Sequence, residues 1–121
     1  MSSKRILVVD DSYANARLLD VYLEPLHHEV RTASDGYEAL REAASFAPDL
    51  LLLDLQLPEV DGFEVARLLK SDPRHKALRI IAVTGYSSPE HRQRAKEAGI
   101  DGYLVKPVQC ADLNAAVASL I

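Results

Sequence analysis

The chain has 121 residues, 48% of them hydrophobic and 26% charged, with 6 prolines and 5 glycines. That composition excludes disordered and collagen-like chains and points to a single domain spanning residues 1–121. At this length roughly two-thirds of the surface of the unfolded chain is buried on folding, enough for a core without metal or disulfide staples. The 14 basic and 18 acidic residues leave a net charge of −4, which argues against nucleic acid or an anionic membrane as the main partner, because both require a basic surface.

Cys110 is the only cysteine, so no intrachain disulfide can form, and no Cys/His spacing suggests zinc. A reducing cytoplasm is the expected compartment. Apolar runs such as Leu50 to Leu53 fall far short of a membrane span, and the stretch between Arg5 and Asp10 is too short for a secretory apolar segment.

Short apolar runs alternate along the chain with longer segments of helical periodicity, the pattern of repeated strand–helix units. The first predicted strand is Ile6 to Val9. After Asp10-Asp11-Ser12, residues Ala16, Leu19, Leu23 and Leu26 recur at helical spacing, and Pro25 ends or distorts this helix near Glu24. A second strand, Glu29 to Ala33, leads through Ser34-Asp35-Gly36 into a helix reaching about Phe46. The third strand, Asp49 to Leu53, is apolar at every position from Leu50 on, as expected of a strand covered on both faces of a parallel sheet.

The loop Asp54 to Gly62 opens a third helix with Val65, Leu68 and Leu69 expected inward, closed by Ser71-Asp72-Pro73. A fourth strand, Ile80 to Val83, precedes a helix that starts near Ser87-Ser88-Pro89-Glu90, where serine, proline and an early acid are helix-start signals. Gly99 suits the left-handed residue after that helix. The fifth strand runs from about Tyr103 to Val105, and a last helix, Ala111 to Leu120, turns Leu113, Ala116, Val117 and Leu120 inward. The result is an α/β chain of five strand–helix units, in which right-handed crossovers place helices on both faces of one parallel sheet.

In such sheets ligands bind beyond the carboxyl ends of the strands. There the sequence places Asp10 and Asp11 after strand one, Asp54 after strand three, Thr84 at the end of strand four and Lys106-Pro107 after strand five. Each residue alone has an ordinary reading: acids at a helix start, a solvated strand-end acid, a turn threonine, an exposed amine, and a sheet aromatic for Tyr103. Their joint occurrence is better explained by one site. If strands one and three are neighbours, three carboxylates converge, an arrangement that opposes full ionisation unless a cation is present. Oxygen ligands of this kind suit Mg²⁺, and a lysine and a hydroxyl facing them suit an anion beside it, a combination that fits phosphoryl chemistry.

The segments Val8-Val9-Asp10-Asp11-Ser12, Leu52-Leu53-Asp54 through Asp61-Gly62, Ala82-Val83-Thr84-Gly85 and Tyr103-Leu104-Val105-Lys106-Pro107 together resemble the receiver domain of two-component response regulators, most of all the single-domain, chemotaxis type. The resemblance covers nearly the whole chain. It implies a flavodoxin-like three-layer sandwich with strand order 2-1-3-4-5, and a phosphorylation-activated signalling switch rather than an enzyme with substrate turnover. It implies that Asp54 accepts a phosphoryl group from a sensor histidine kinase or a histidine phosphotransfer protein. Mg²⁺ would be bound by Asp11, Asp54 and the backbone carbonyl of Gln56, with Asp10 acting through water or as a second carboxylate.

On the same resemblance Lys106 pairs with the phosphoryl oxygens, Thr84 donates its hydroxyl to them, and the Lys106–Pro107 bond is cis. Thr84 and Tyr103 then relay the change to the surface of helix four, strand five and helix five, where a downstream protein binds. The alternative function is an Mg²⁺-dependent phosphohydrolase with Asp54 as nucleophile, although such enzymes usually carry an acid where Gln56 stands. A receiver-like domain that no longer turns over phosphate has nothing in the sequence to favour it.

His27 stands where receivers commonly carry a glycine, and with Pro25 it predicts an irregular end to helix one. On the same resemblance, Gln56 and Tyr86, two residues past Asp54 and Thr84, lie where receivers vary and where side chains obstruct or align an attacking water. The histidines show no ligand spacing and are expected exposed. Arg92, Arg94 and Lys96 read as a solvated face near Glu90 and Glu97, with ion pairs across a homodimer as the alternative. Cys110 is expected to be packed or idle.

Overall fold

Residues 3–121 are described by a computed structural model. The elements in chain order are β1 (Arg5–Val9), α1 (Tyr13–Leu23), β2 (Glu29–Ala33), α2 (Gly36–Phe46), β3 (Leu50–Leu53), α3 (Gly62–Ser71), β4 (Arg79–Thr84), α4 (Pro89–Glu97), β5 (Gly102–Val105) and α5 (Cys110–Leu120). All five strands pair in parallel, in the order β2-β1-β3-β4-β5, so the expected sandwich is the one that forms.

The leucine run of β3 shows why the sheet is covered twice. All four leucines are fully buried. Leu50 and Leu52 join Ile6, Val8, Leu19 and Leu113 in a core beneath α1 and α5, whereas Leu51 and Leu53 join Leu7, Ala43 and Phe63 in a second core beneath α2 and α3. Successive strand residues point to opposite faces, so a strand with a core on each side must be apolar at every position.

Four of the helices start on a side chain that accepts the backbone N–H three residues on: Ser12 from Asn15, Asp35 from Glu38, Asp61 from Glu64 and Ser88 from His91. Each satisfies one of the donors a helix start leaves without a partner, a contribution of about 1 kcal/mol. Helix α1 ends where Pro25 predicts. A short 3₁₀ turn, Glu24–Leu26, follows it, and His27 takes a left-handed φ of 58° where a glycine would be at ease. Gly99 likewise has φ 90° just beyond α4.

Three expectations are corrected. Leu68 is 37% exposed, and α3 instead buries Phe63, Val65, Ala66 and Leu69, so the apolar stripe lies one step round the helix. His75 is buried, 8% exposed, in the turn Pro73–His75 after α3. Several boundaries move by a residue or two: β3 starts at Leu50 rather than Asp49, and α5 at Cys110 rather than Ala111. Helix α4 is the polar exception among the helices, burying Ala95 alone of its nine residues.

Leu52→Ala should leave a cavity at the centre of the α1/α5 core and cost about 2–5 kcal/mol, read as a lower urea midpoint with unchanged slope.

Candidate functional site

Parallel pairing in register brings the acids together. Val9 lies opposite Leu53, so the next residue of each strand, Asp10 and Asp54, sit side by side. Their backbones continue the ladder, with Asp10 N donating to Ala33 O at 3.0 Å and Asp54 N to Val9 O at 2.9 Å. Lys106 leaves β5 in the same way, its N donating to Thr84 O at 2.8 Å. The carboxyl edge of the sheet thus presents two acids and an amine from three strands.

Their side chains close on one another. Lys106 Nζ donates to Asp10 Oδ2 at 2.7 Å and to Asp54 Oδ2 at 3.0 Å. Asp10 and Asp54 are 3% and 4% exposed, while Asp11 faces solvent. The remaining oxygens are also held: Asp10 Oδ1 accepts from Ser12 N at 2.8 Å and Asp54 Oδ1 from Gln56 N at 2.9 Å. Ser12 rather than either acid caps α1, which removes the ordinary reading of Asp10 and Asp11 as caps. One carboxylate oxygen from each of Asp10, Asp11 and Asp54 lies within 4.8 Å of the others.

Burial acts most strongly on the Lys106 ammonium and opposes it, yet the hydrogen bonds to Asp10 and Asp54 and the charges of those two acids together outweigh that penalty and hold its pKa above the usual lysine value. Three acids set against one ammonium leave two formal negative charges on a set of hard oxygen donors. That donor chemistry fits Mg²⁺, which prefers carboxylates and water to nitrogen or sulfur.

Beside this cluster, Thr84 is fully buried and its Oγ1 accepts from Tyr86 N at 3.2 Å. Tyr103 donates its hydroxyl to Tyr86 O at 2.8 Å, and the Arg92 guanidinium lies 4.6 Å from its ring centroid. Burial raises the Tyr103 phenol pKa above its ordinary value, with Arg92 pulling the other way. The Gln56 side chain is exposed, and its Oε1 lies against Gly85, where an added Cβ would approach it to 3.0 Å. The Lys106–Pro107 bond is cis, as expected. At the far end of the Asp54 loop, a Cβ on Gly62 would come within 2.5 Å of Asp54 O, so only glycine lets α3 begin this close to the acid.

Several of these groups carry no signal in the sequence. His91 is half-buried and stacks on Tyr86 with ring centroids 3.9 Å apart, and Arg94 lies 4.0 Å over the ring of Phe63. Arg92 and Arg94 therefore have aromatic partners and are more than a solvated face. Helix periodicity says nothing about contacts between a loop residue and the helix that follows it.

With the geometry in place, the family is plain. Residues 6–118 match the response regulator receiver domain, and the chain belongs to that family. It is 43% identical to the response regulator PleD of Caulobacter vibrioides over 98% of its own length, and it spans 26% of the length of that relative. It is 35% identical to the polar-differentiation response regulator DivK of Brucella abortus, covering 88% of this chain and 86% of DivK. The structure of the chemotaxis protein CheY4 of Vibrio cholerae superposes with a TM-score of 0.93 at 31% identity, over 99% of this chain and all of that one. A receiver domain from Methanospirillum hungatei gives 0.86 at 34% identity, over 98% of this chain and 93% of that one. The chain is thus a phosphorylation-controlled signalling domain, and this membership favours the switch over the phosphohydrolase.

Lys106→Met should leave two buried carboxylates without their ammonium, lowering stability by about 1–3 kcal/mol in chelator. Added Mg²⁺ should recover more of the thermal midpoint in that variant than in the wild type, because the ammonium no longer competes for Asp10 and Asp54. A neutral Tyr103 favoured by the fold contributes stability that is complete below about pH 10 and is lost as the pH rises through that value towards the higher folded pKa. Tyr103→Phe should therefore flatten part of the alkaline fall in unfolding free energy.

Proposed function

We propose that Asp54 is the phosphoacceptor of this domain, taking a phosphoryl group from a phosphohistidine of a sensor kinase or a histidine phosphotransfer protein. The observation that carries this reading is the Asp54 carboxylate itself: buried at the end of β3, bonded to Lys106 and gathered with Asp10 and Asp11. An Asp54 oxygen forms the new bond to phosphorus as the phosphorus–nitrogen bond of the donor breaks, and the imidazole leaves with that electron pair. Asp11 and Asp54, with the backbone carbonyl of Gln56, would hold Mg²⁺, and Asp10 would act through water or as a second carboxylate. The ion when bound neutralises charge on the phosphoryl oxygens.

Lys106 already spans the two strand ends and exchanges a carboxylate partner for a phosphoryl oxygen with little motion. Thr84 accepts from Tyr86 N, so its hydroxyl hydrogen remains available to donate to the same phosphoryl group. The signal leaves through Thr84 and Tyr103 to the surface of α4, β5 and α5, where a downstream protein binds. Moving a 1:99 equilibrium to 99:1 takes about 5.5 kcal/mol. Two or three charge-assisted contacts at roughly 1.5–3 kcal/mol each supply it. The chain takes part in its own phosphorylation without turning over an independent substrate, and a cytoplasmic location fits a kinase partner of this kind.

Incubation with acetyl phosphate and Mg²⁺ should add the mass of one phosphoryl group to the wild type and none to Asp54→Asn. Continued release of phosphate over many turnovers would instead support the phosphohydrolase. Bulky Tyr86 beside Thr84 should slow attack by water, and radiolabel decay within seconds would contradict that role.

A further inference from the structure

Tyr86 occupies a junction. Its N–H is held by Thr84 Oγ1 at 3.2 Å, its carbonyl by the Tyr103 hydroxyl at 2.8 Å, and its ring by His91. The two rings lie 3.9 Å apart at an interplanar angle of 13°, and the buried ring of Phe63 flanks both at 6.3 Å. Separations of this order are those at which aromatic rings attract beyond the area they bury. His91 is itself moored: its Nδ1 lies 2.8 Å from Ser88 Oγ, and its backbone N–H donates to the same oxygen at 3.2 Å. Few core contacts hold the start of α4 in place, since Ala95 is the helix's only buried residue.

The backbone consequence reaches the chemistry. A threonine hydroxyl can donate one hydrogen bond and accept others. While Tyr86 N–H fills an acceptor position of Thr84, the polarity left over is that of a donor, the one a phosphoryl oxygen requires. Whatever fixes Tyr86 therefore fixes which hydrogen-bonding role is left to the Thr84 hydroxyl.

We propose that His91 is a positioning residue for the phosphoryl site: stacked on Tyr86 and tied to Ser88, it holds the loop between β4 and α4 so that Tyr86 N–H stays on Thr84 and the Thr84 hydroxyl keeps its hydrogen for a phosphoryl oxygen. The effect on phosphoryl lifetime rests on the reading of Asp54 as acceptor, whereas the effect on the loop does not. The chemistry asked of His91 is a flat ring at that spot, so phenylalanine can replace it and alanine cannot.

The test compares the wild-type chain with His91→Ala and His91→Phe in two measurements. In the unphosphorylated protein, amide hydrogen exchange at Tyr86 should rise about tenfold in His91→Ala, the order set by one net hydrogen bond, and return to near the wild-type value in His91→Phe. Exchange at Ala98, whose N–H bonds Arg94 O further along α4, should not change. After acetyl phosphate and Mg²⁺, label should decay several-fold faster from His91→Ala than from the other two. Unchanged exchange at Tyr86, equal rises at Tyr86 and Ala98, or no rescue by phenylalanine would each overturn the proposal. Faster exchange at Tyr86 with wild-type decay would overturn its link to the phosphoryl site. Should the wild type take no phosphoryl group, the Asp54 reading fails, and the exchange measurement still decides whether His91 holds the loop.

Discussion

The structure depends on one electrostatic compromise at the carboxyl edge of the sheet. Two buried acids stand side by side because β1 and β3 pair in register, and a third lies close enough for one oxygen of each to fall within 4.8 Å of the others. Like charges so close raise the free energy of the folded chain unless something of opposite sign is supplied. Lys106 supplies part of it from the far side, reaching both buried carboxylates. The residual negative charge is what makes the pocket receptive to a divalent ion, and the same ammonium is the group best placed to meet an incoming anion. Folding draws on this balance, and so do the ion binding and phosphoryl transfer proposed for the site.

Much of this could be read in the chain before any coordinates. The leucine run of β3 announced a strand with two covered faces, and abrupt changes from apolar run to acid marked the strand ends. Serine and aspartate located the helix starts because capping is a local interaction. What periodicity could not resolve was the edge of an apolar stripe: Leu68 sits at a plausible helical spacing yet lies outside the buried arc, where Phe63 and Ala66 lie within it. Nor could it place the histidines. His75 is buried by the way a 3₁₀ turn tucks after α3, and His91 is half-covered by a stack across a loop, neither of which leaves a spacing in the sequence. The grouping of Asp10, Asp11, Asp54 and Lys106 was legible from their joint place at the strand ends, while the strand order that makes β1 and β3 neighbours came from the family resemblance.

The site also shows how side chains and backbone share a task. Each buried acid gives one oxygen to Lys106 and the other to a backbone N–H two residues further on, at Ser12 and Gln56. Those backbone bonds fix the direction in which each carboxylate opens. Gly62 does the same at the level of chain path, allowing α3 to begin against the carbonyl of Asp54. Removing side-chain bulk there is as much a requirement as the charges are.

Helix α4 commits a single alanine to the interior, while β3 commits every residue it has. An element fastened so lightly can be tilted or slid at small energetic expense, and the motion leaves the rest of the sandwich intact. Rigidity is thus concentrated in the strands that carry the buried acids, and compliance in the helix that follows β4.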